Sequence, residues 1–265
     1  MKPRTPFWQR LRRDEIAAAR DDGAVVLLPL GSTEQHGPHL PVDVDITCST
    51  NVCRRAAELA DVPILVAPGV WSGYSPHHMD FAGSITLDAE TFQAVVRELV
   101  QSIWHHGFGK IVLVNGHGGN GSLLGTVSVQ LATSGRPVAL CSWWDLVRND
   151  FATILDGELK GVGHACEAET SLYLYLVGEG VEMSLAPNDY TWPFLAGVDR
   201  ALLTDHGVGF PSLHGGWTSG VYGSAALGTP EKGRRILESA AQRLAAFCAR
   251  FRGLNLDAPV MWNQL

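Results

Sequence analysis

From Gly31 to Asp45 the sequence reads Gly-Ser-Thr-Glu34-Gln35-His36-Gly-Pro-His39-Leu-Pro-Val-Asp43-Val-Asp45, which packs three carboxylates and two imidazoles into positions 34–45. Glu34 and His36 are two apart, and in an extended backbone residues i and i+2 share a face, so both reach one point. A carboxylate oxygen with an imidazole nitrogen is a transition-metal pair. Gly37, Pro38 and Pro41 turn the chain without ladder hydrogen bonding, which can return Asp43 or Asp45 to the same point. Buried charges without partners are costly, and a cation is what neutralises them; the plainer alternative is a polar loop with local hydrogen bonds.

Two further nodes carry chemistry. Asn115-Gly-His117-Gly118-Gly119-Asn120 matches neither a dinucleotide fingerprint nor a P-loop, and no lysine follows it. Its glycines let the backbone approach a ligand closely while His117 projects into an open site. The third node offers His164, Glu167 and Glu169. On a helix, 164 and 167 share a face and Glu169 lies farther round, so spacing leaves the choice between the two glutamates open. A charged first helical turn is the structural alternative.

These nodes need positioning elements. Residues 24–30 are aliphatic without polar interruption, the pattern of a strand covered on both faces; 64–67 and 111–115 read as further buried strands, and 137–142 as a fourth strand. Between them, helices are expected from about 10 to 20, 46 to 60, 89 to 106 with Asp88 as N-cap, 123 to 134, 161 through 175, and 230 to 252 with Thr229 as N-cap. Such alternation implies a mostly parallel sheet with ligands at the carboxyl ends of its strands, where Glu34, His36 and His117 fall. The long segment 68–87 and the glycine-rich 179–229 are loops, the former long enough to be functional.

With 265 residues, 46% of them hydrophobic and 18% charged, the chain suits one domain over 1–265. A formal charge of −7 and no basic cluster beyond Arg10-Leu-Arg-Arg13 argue against nucleic acid. No apolar run is long enough to span a membrane. Five scattered cysteines without Cys-x-x-Cys spacing, and no signal-like N-terminal stretch, lead us to expect a cytoplasmic protein without disulfides.

Together, Gly31-Ser-Thr-Glu-Gln-His-Gly-Pro-His-Leu-Pro, Asp45, Phe81-Ala-Gly-Ser-Ile-Thr-Leu87, Asn115-Gly-His-Gly-Gly-Asn120, Trp144-Asp145, Gly163-His164-Ala and Glu169-Thr-Ser resemble the creatininase family of metal-dependent amidohydrolases. The likeness covers about residues 25–175. It implies a three-layer α/β/α sandwich around a mostly parallel sheet, two divalent ions per chain (zinc, manganese or iron), and a homo-oligomer, often a hexamer. It also implies hydrolysis of a C–N amide bond in a small cyclic amide or formamide-type substrate by a water activated between the ions. Peptidase action on a short peptide end, as in mycofactocin maturation, is the alternative, with a non-catalytic scaffold as a third. Carried onto this sequence, Glu34 and His117 correspond to ligands of one metal, His36 to a ligand of the other, and Asp45 to the bridge. Creatininase proper has a tyrosine and a ligating glutamate at the positions of Gly118 and Gly119, so creatinine is the less expected substrate and Glu169 is the substitute ligand. His164 corresponds to the family's proton donor to the leaving nitrogen. Gln35, His39 and Asp43 are candidates to orient ligands, while His78, Trp144, Tyr74, Trp71 and the backbone at Gly118 and Gly119 are candidates to contact substrate.

Overall fold

The computed structural model describes residues 2–191 and 218–256. Most of the 185–225 segment expected to line a pocket, with Gly207, Gly209, Gly215 and Gly216, lies outside those residues.

The first three aliphatic runs form strands buried along their whole length between layers of helices, whereas the fourth forms an edge strand that is only partly covered, with Leu140 38% exposed. A 3-10 turn, Trp8–Arg10, leads into α1, Arg13–Asp21, which begins three residues later than the amphipathic pattern suggested. Then follow β1, Val25–Leu30; α2, Val44–Leu59; β2, Ile64–Val66; α3, Ala89–His105; β3, Ile111–Asn115; α4, Gly121–Thr133; and β4, Ala139–Ser142. The four strands run parallel in the order β2-β1-β3-β4, with Val26 opposite Ile111 and Leu30 opposite Asn115. After β4 come α5, Trp143–Val147; α6, Phe151–Ile154; α7, Glu167–Leu176; the two-residue antiparallel pair β5, Asn188–Asp189, and β6, Gly223–Ser224; and α8, Pro230–Arg252.

Alternation along the strands divides the core in two. Val25, Leu27, Ile64, Val66, Val112 and Val114 face a layer containing α2, α5, α7 and α8. Val26, Leu28, Leu30, Leu65, Ile111 and Leu113 face α1, α3 and α4. This is the expected three-layer α/β/α arrangement. Both expected N-caps are present: Asp88 Oδ1 accepts from Thr91 N at 2.7 Å, and Thr229 Oγ1 from Lys232 N at 3.3 Å. Gly107, with φ +89°, ends α3 as glycine can.

The expectation of a helix from 161 is corrected. Residues 161–166 are irregular, His164 pairs with Tyr222 as an isolated antiparallel bridge, and buried Ala165 sits at φ 49°. That left-handed residue delays the helix until Glu167. Where α7 crosses α8, Gly233 lies so close to the Ser171 carbonyl that a Cβ there would overlap it. Among the described residues no helix is long and apolar enough to cross a membrane.

Candidate metal centre

With strand order 2-1-3-4, the connection leaving β1 toward β2 and the one leaving β3 toward β4 run in opposite directions, and the crevice between the carboxyl ends of β1 and β3 is the place where such sheets bind ligands. Glu34 and His36 follow β1, and His117 follows β3 by two residues. Asp45 arrives from a third direction, as the second residue of α2. Two glycines admit it: a Cβ on Gly31 would lie 2.5 Å from Ile46 N, and one on Gly116 would overlap the Asp45 carbonyl. The helix start therefore rests directly on both strand ends. Asn120 secures the rim, donating to Gly31 O at 3.0 Å and accepting from Tyr74 N at 2.9 Å. Asn115 clamps the turn, donating to His117 O and accepting from His117 N.

Two of the groups of ligand atoms that result share Asp45. Glu34, Asp45 and His117 form one; His36, Asp45 and Glu169 form the other; Asp45 belongs to both, and all five residues are buried. His117 Nδ1 lies 3.0 Å from Glu34 Oε2 and 3.2 Å from Asp45 Oδ2, while His36 Nε2 lies 3.1 Å from Asp45 Oδ1. The far nitrogen of each ring is anchored on a main-chain carbonyl, His117 Nε2 on Tyr74 O at 3.0 Å and His36 Nδ1 on Glu34 O at 3.2 Å. A neutral ring so anchored carries its proton on the far side and turns a lone pair toward the carboxylates, the arrangement found behind metal-bound histidines. His36 Nε2 and Asp45 Oδ2 are buried without a hydrogen-bond partner among the described residues, despite their close neighbours. Lone pairs converging in this way fit a divalent cation in each group.

Charge responds accordingly. Burial opposes ionisation of Glu34, but His117, His78 and His164 hold its carboxyl well below the usual range. Burial likewise opposes a charged His36, yet Asp45, with Glu169 and Glu34, holds it up at about 9, and Glu34 and Asp45 raise His117 in the same way. Burial pushes Glu169 up to about 7. Protons thus occupy the lone pairs that cations would otherwise take.

Glu169 and Glu167, left open by spacing, diverge. Glu169 faces His36 and Asp45, with its Oε2 held by Cys166 N at 3.2 Å and Cys166 Sγ at 3.5 Å. Glu167 turns to the opposite side, accepting from Asp156 N, Gly157 N and Lys232 Nζ. Cys166 is a buried packing residue whose thiol burial raises. Asp43 stays outside the cluster, where it accepts from Tyr173 Oη at 2.8 Å and Thr47 Oγ1 at 2.9 Å. His39 bonds Thr170 Oγ1 at 2.9 Å, next to Glu169.

His78 and His164 complete the wall. Both face Glu34 Oε1, at 3.4 and 3.7 Å, and their rings stack with centroids 4.3 Å apart. Burial, aided by nearby imidazoles, lowers His78 to about 3 and His164 well below its usual value. Ser75, not singled out from the sequence, donates to Glu34 Oε2 at 2.6 Å; a serine in a long loop carries no signal of such a contact. Tyr74 reaches the site through its carbonyl. Gly118 is exposed with nothing within 4 Å of a Cβ direction, whereas a Cβ on Gly119 would overlap His117 Nε2 and Tyr74 O. Of the two tryptophans, Trp71 is 56% exposed, and Trp144 packs against the core and edge-on to Trp143 at 5.6 Å, with no hydrogen bond or ring contact to the cluster among the described residues.

The chain is similar to known proteins over most of its length. The family model for creatininase, described as creatinine amidohydrolase, matches residues 9–248. A mycofactocin precursor peptide peptidase of Mycobacterium tuberculosis is 33% identical over 226 residues, covering 80% of this chain and 79% of that protein. Creatinine amidohydrolase of Pseudomonas putida is 32% identical over 177 residues, covering 60% and 66%. A solved structure titled "Creatininase Mn" superposes with a TM-score of 0.78 at 26% identity, covering 95% of this chain and 100% of that one. Matched in this way over most of its length, the chain belongs to the creatininase family of amidohydrolases.

Proposed function

We propose that the protein is a dinuclear metal-dependent hydrolase of carbon–nitrogen amide bonds, acting on a small cyclic amide or formamide-type substrate. The observation that carries this reading is the Asp45 shared between two buried ligand groups, with His36 Nε2 and Asp45 Oδ2 buried without a hydrogen-bond partner among the described residues. Glu34, Asp45 and His117 would hold one ion, and His36, Asp45 and Glu169 the other; His and carboxylate donors suit zinc, manganese or iron. Such ions, when bound, make water nucleophilic near neutral pH and polarise the scissile carbonyl.

The chain's own groups do the rest. Tyr74 O and Glu34 O fix the rings of His117 and His36 so that neither has to reorient during turnover. Burial keeps bulk water from the carboxylates. His164 Nε2 donates to Gln35 O at 2.9 Å, leaving Nδ1 as an acceptor beside Glu34. That nitrogen can take a proton from the attacking water and return it to the departing nitrogen. The homo-oligomeric, cytoplasmic character inferred from the sequence forms part of the same proposal.

A second reading, removal of a short peptide end, is favoured by the open space at Gly118, where creatininase proper has a tyrosine, and by the peptidase relatives. Elemental analysis of the purified protein, paired with hydrolysis of a lactam, formamide and peptide panel before and after chelation, tests both. About two ions per chain with chelator-sensitive turnover supports the dinuclear hydrolase, and the panel ranks substrate class. No bound metal and no turnover on supplementation would overturn it.

A further inference from the structure

Three groups of potential ligands surround this site. The third, Glu34 Oε1 with His78 Nε2 and His164 Nδ1, is two imidazoles and a carboxylate, as buried as the others. Whether it takes a cation depends on a single proton. A metal needs the lone pair of His78 Nε2, so it needs the His78 proton on Nδ1.

Gln35 determines where that proton goes. Its side-chain Oε1 accepts from Gly37 N at 2.8 Å, and a main-chain N–H can only donate. This fixes the amide orientation, so its nitrogen faces the histidines, 2.9 Å from His78 Nδ1. Gly220, at φ +67°, packs directly against the same amide, where a Cβ would overlap Oε1. The Gln35 main-chain N–H donates to Ser84 Oγ at 3.1 Å, which holds the residue itself. The amide nitrogen also lies 2.9 Å from His164 Nε2, but the Gln35 carbonyl, which has no proton to give, takes the proton of that ring nitrogen. With an amide N–H donated to it, His78 Nδ1 is an acceptor, and the neutral ring carries its proton on Nε2.

We infer that Gln35 is a positioning residue that holds His78 as the Nε2–H tautomer, making His78 a hydrogen-bond donor toward Glu34 Oε1 and barring a third cation from the Glu34–His78–His164 group. The inference rests on the two-cation reading for its count of ions, but not for the tautomer. Gln35→Glu inverts the device: a carboxylate accepts, draws the His78 proton to Nδ1 and frees Nε2 for ligation, as carboxylate–histidine–metal arrangements do.

The test uses full-length protein with 15N-labelled imidazoles, whose long-range proton–nitrogen correlations report which ring nitrogen is protonated, with His78→Gln to assign the His78 resonances. The wild type is expected to show Nε2–H on His78 both with and without zinc. Q35E is expected to show Nδ1–H and, by elemental analysis after zinc loading and dialysis, one zinc per chain more than the wild type. Wild-type His78 protonated at Nδ1 overturns the inference, as does Q35E with a relocated proton and an unchanged zinc count. If Q35E does not fold, the wild-type spectrum decides alone; if the wild type binds no zinc, the dinuclear reading fails while the tautomer is still scored.

Discussion

Substitution of Gly119 by alanine separates a metal centre from a merely polar loop. The new Cβ would overlap both His117 Nε2 and Tyr74 O and lie 2.9 Å from His77 Cε1. Ordinary contact distance is roughly 3.5 Å, so the ring or the carbonyl must give by about 1 Å, and the 3.0 Å bond between them cannot survive near 4 Å. His117 then loses the partner that fixes its tautomer. Loss of such a partner weakens metal binding by about 10- to 100-fold, which is roughly 1.4–2.7 kcal/mol. Competition with a chromophoric chelator measures it, with Gly118→Ala as the control: nothing lies within 4 Å of that Cβ direction, and its zinc affinity should stay within about 2-fold of wild type. Wild-type affinity in G119A would refute the claim that His117 holds a metal through Nδ1.

Other outcomes follow from the same geometry. His36→Ala should lose about one of two ions per chain together with turnover; unchanged metal content by elemental analysis would count heavily against the assignment. In chelated protein, the raised groups bind protons more tightly folded than unfolded, so their stabilisation is complete at low pH and fades upward, between about 4.5 and 7 for Glu169 and between about 6.5 and 9 for His36. Melting temperature should therefore fall from pH 6 to 9 without metal and flatten when zinc replaces the protons; a flat metal-free profile would contradict it. Ala165, buried at φ 49°, should not tolerate a β-branched side chain: Ala165→Val is expected to lose about 2 kcal/mol or more in denaturant unfolding, while Ala165→Gly stays within about 1 kcal/mol.

What could be foreseen from the sequence was whatever depends on local spacing. Four aliphatic runs yielded the parallel sheet, and the two-residue step brought Glu34 and His36 to the cluster, although the structure places them in different ligand groups and not at the single point the spacing suggested. Choices between near neighbours were not local. Asp43 and Asp45 differ by which side of α2 they occupy, and that is set by the backbone contacts at Gly31 and Gly116. Glu167 and Glu169 are separated by where α7 begins, and the left-handed turn at Ala165 moves that start past the periodicity of the apolar residues. The Gln35 network needed three dimensions, since its long-range partners come from residues 78, 84 and 164.

The backbone contact at Gly233 reaches beyond packing. Because α8 touches the Ser171 carbonyl there without an intervening side chain, it acts as a detent that indexes α7, and with it the carboxylate of Glu169, two residues earlier on the same helix. Inheritance at position 233 is then coupled to the chemistry of a site it never meets. A variant there could present in a genetic screen as a lesion of metal loading, while the list of ligand residues in its sequence remained intact.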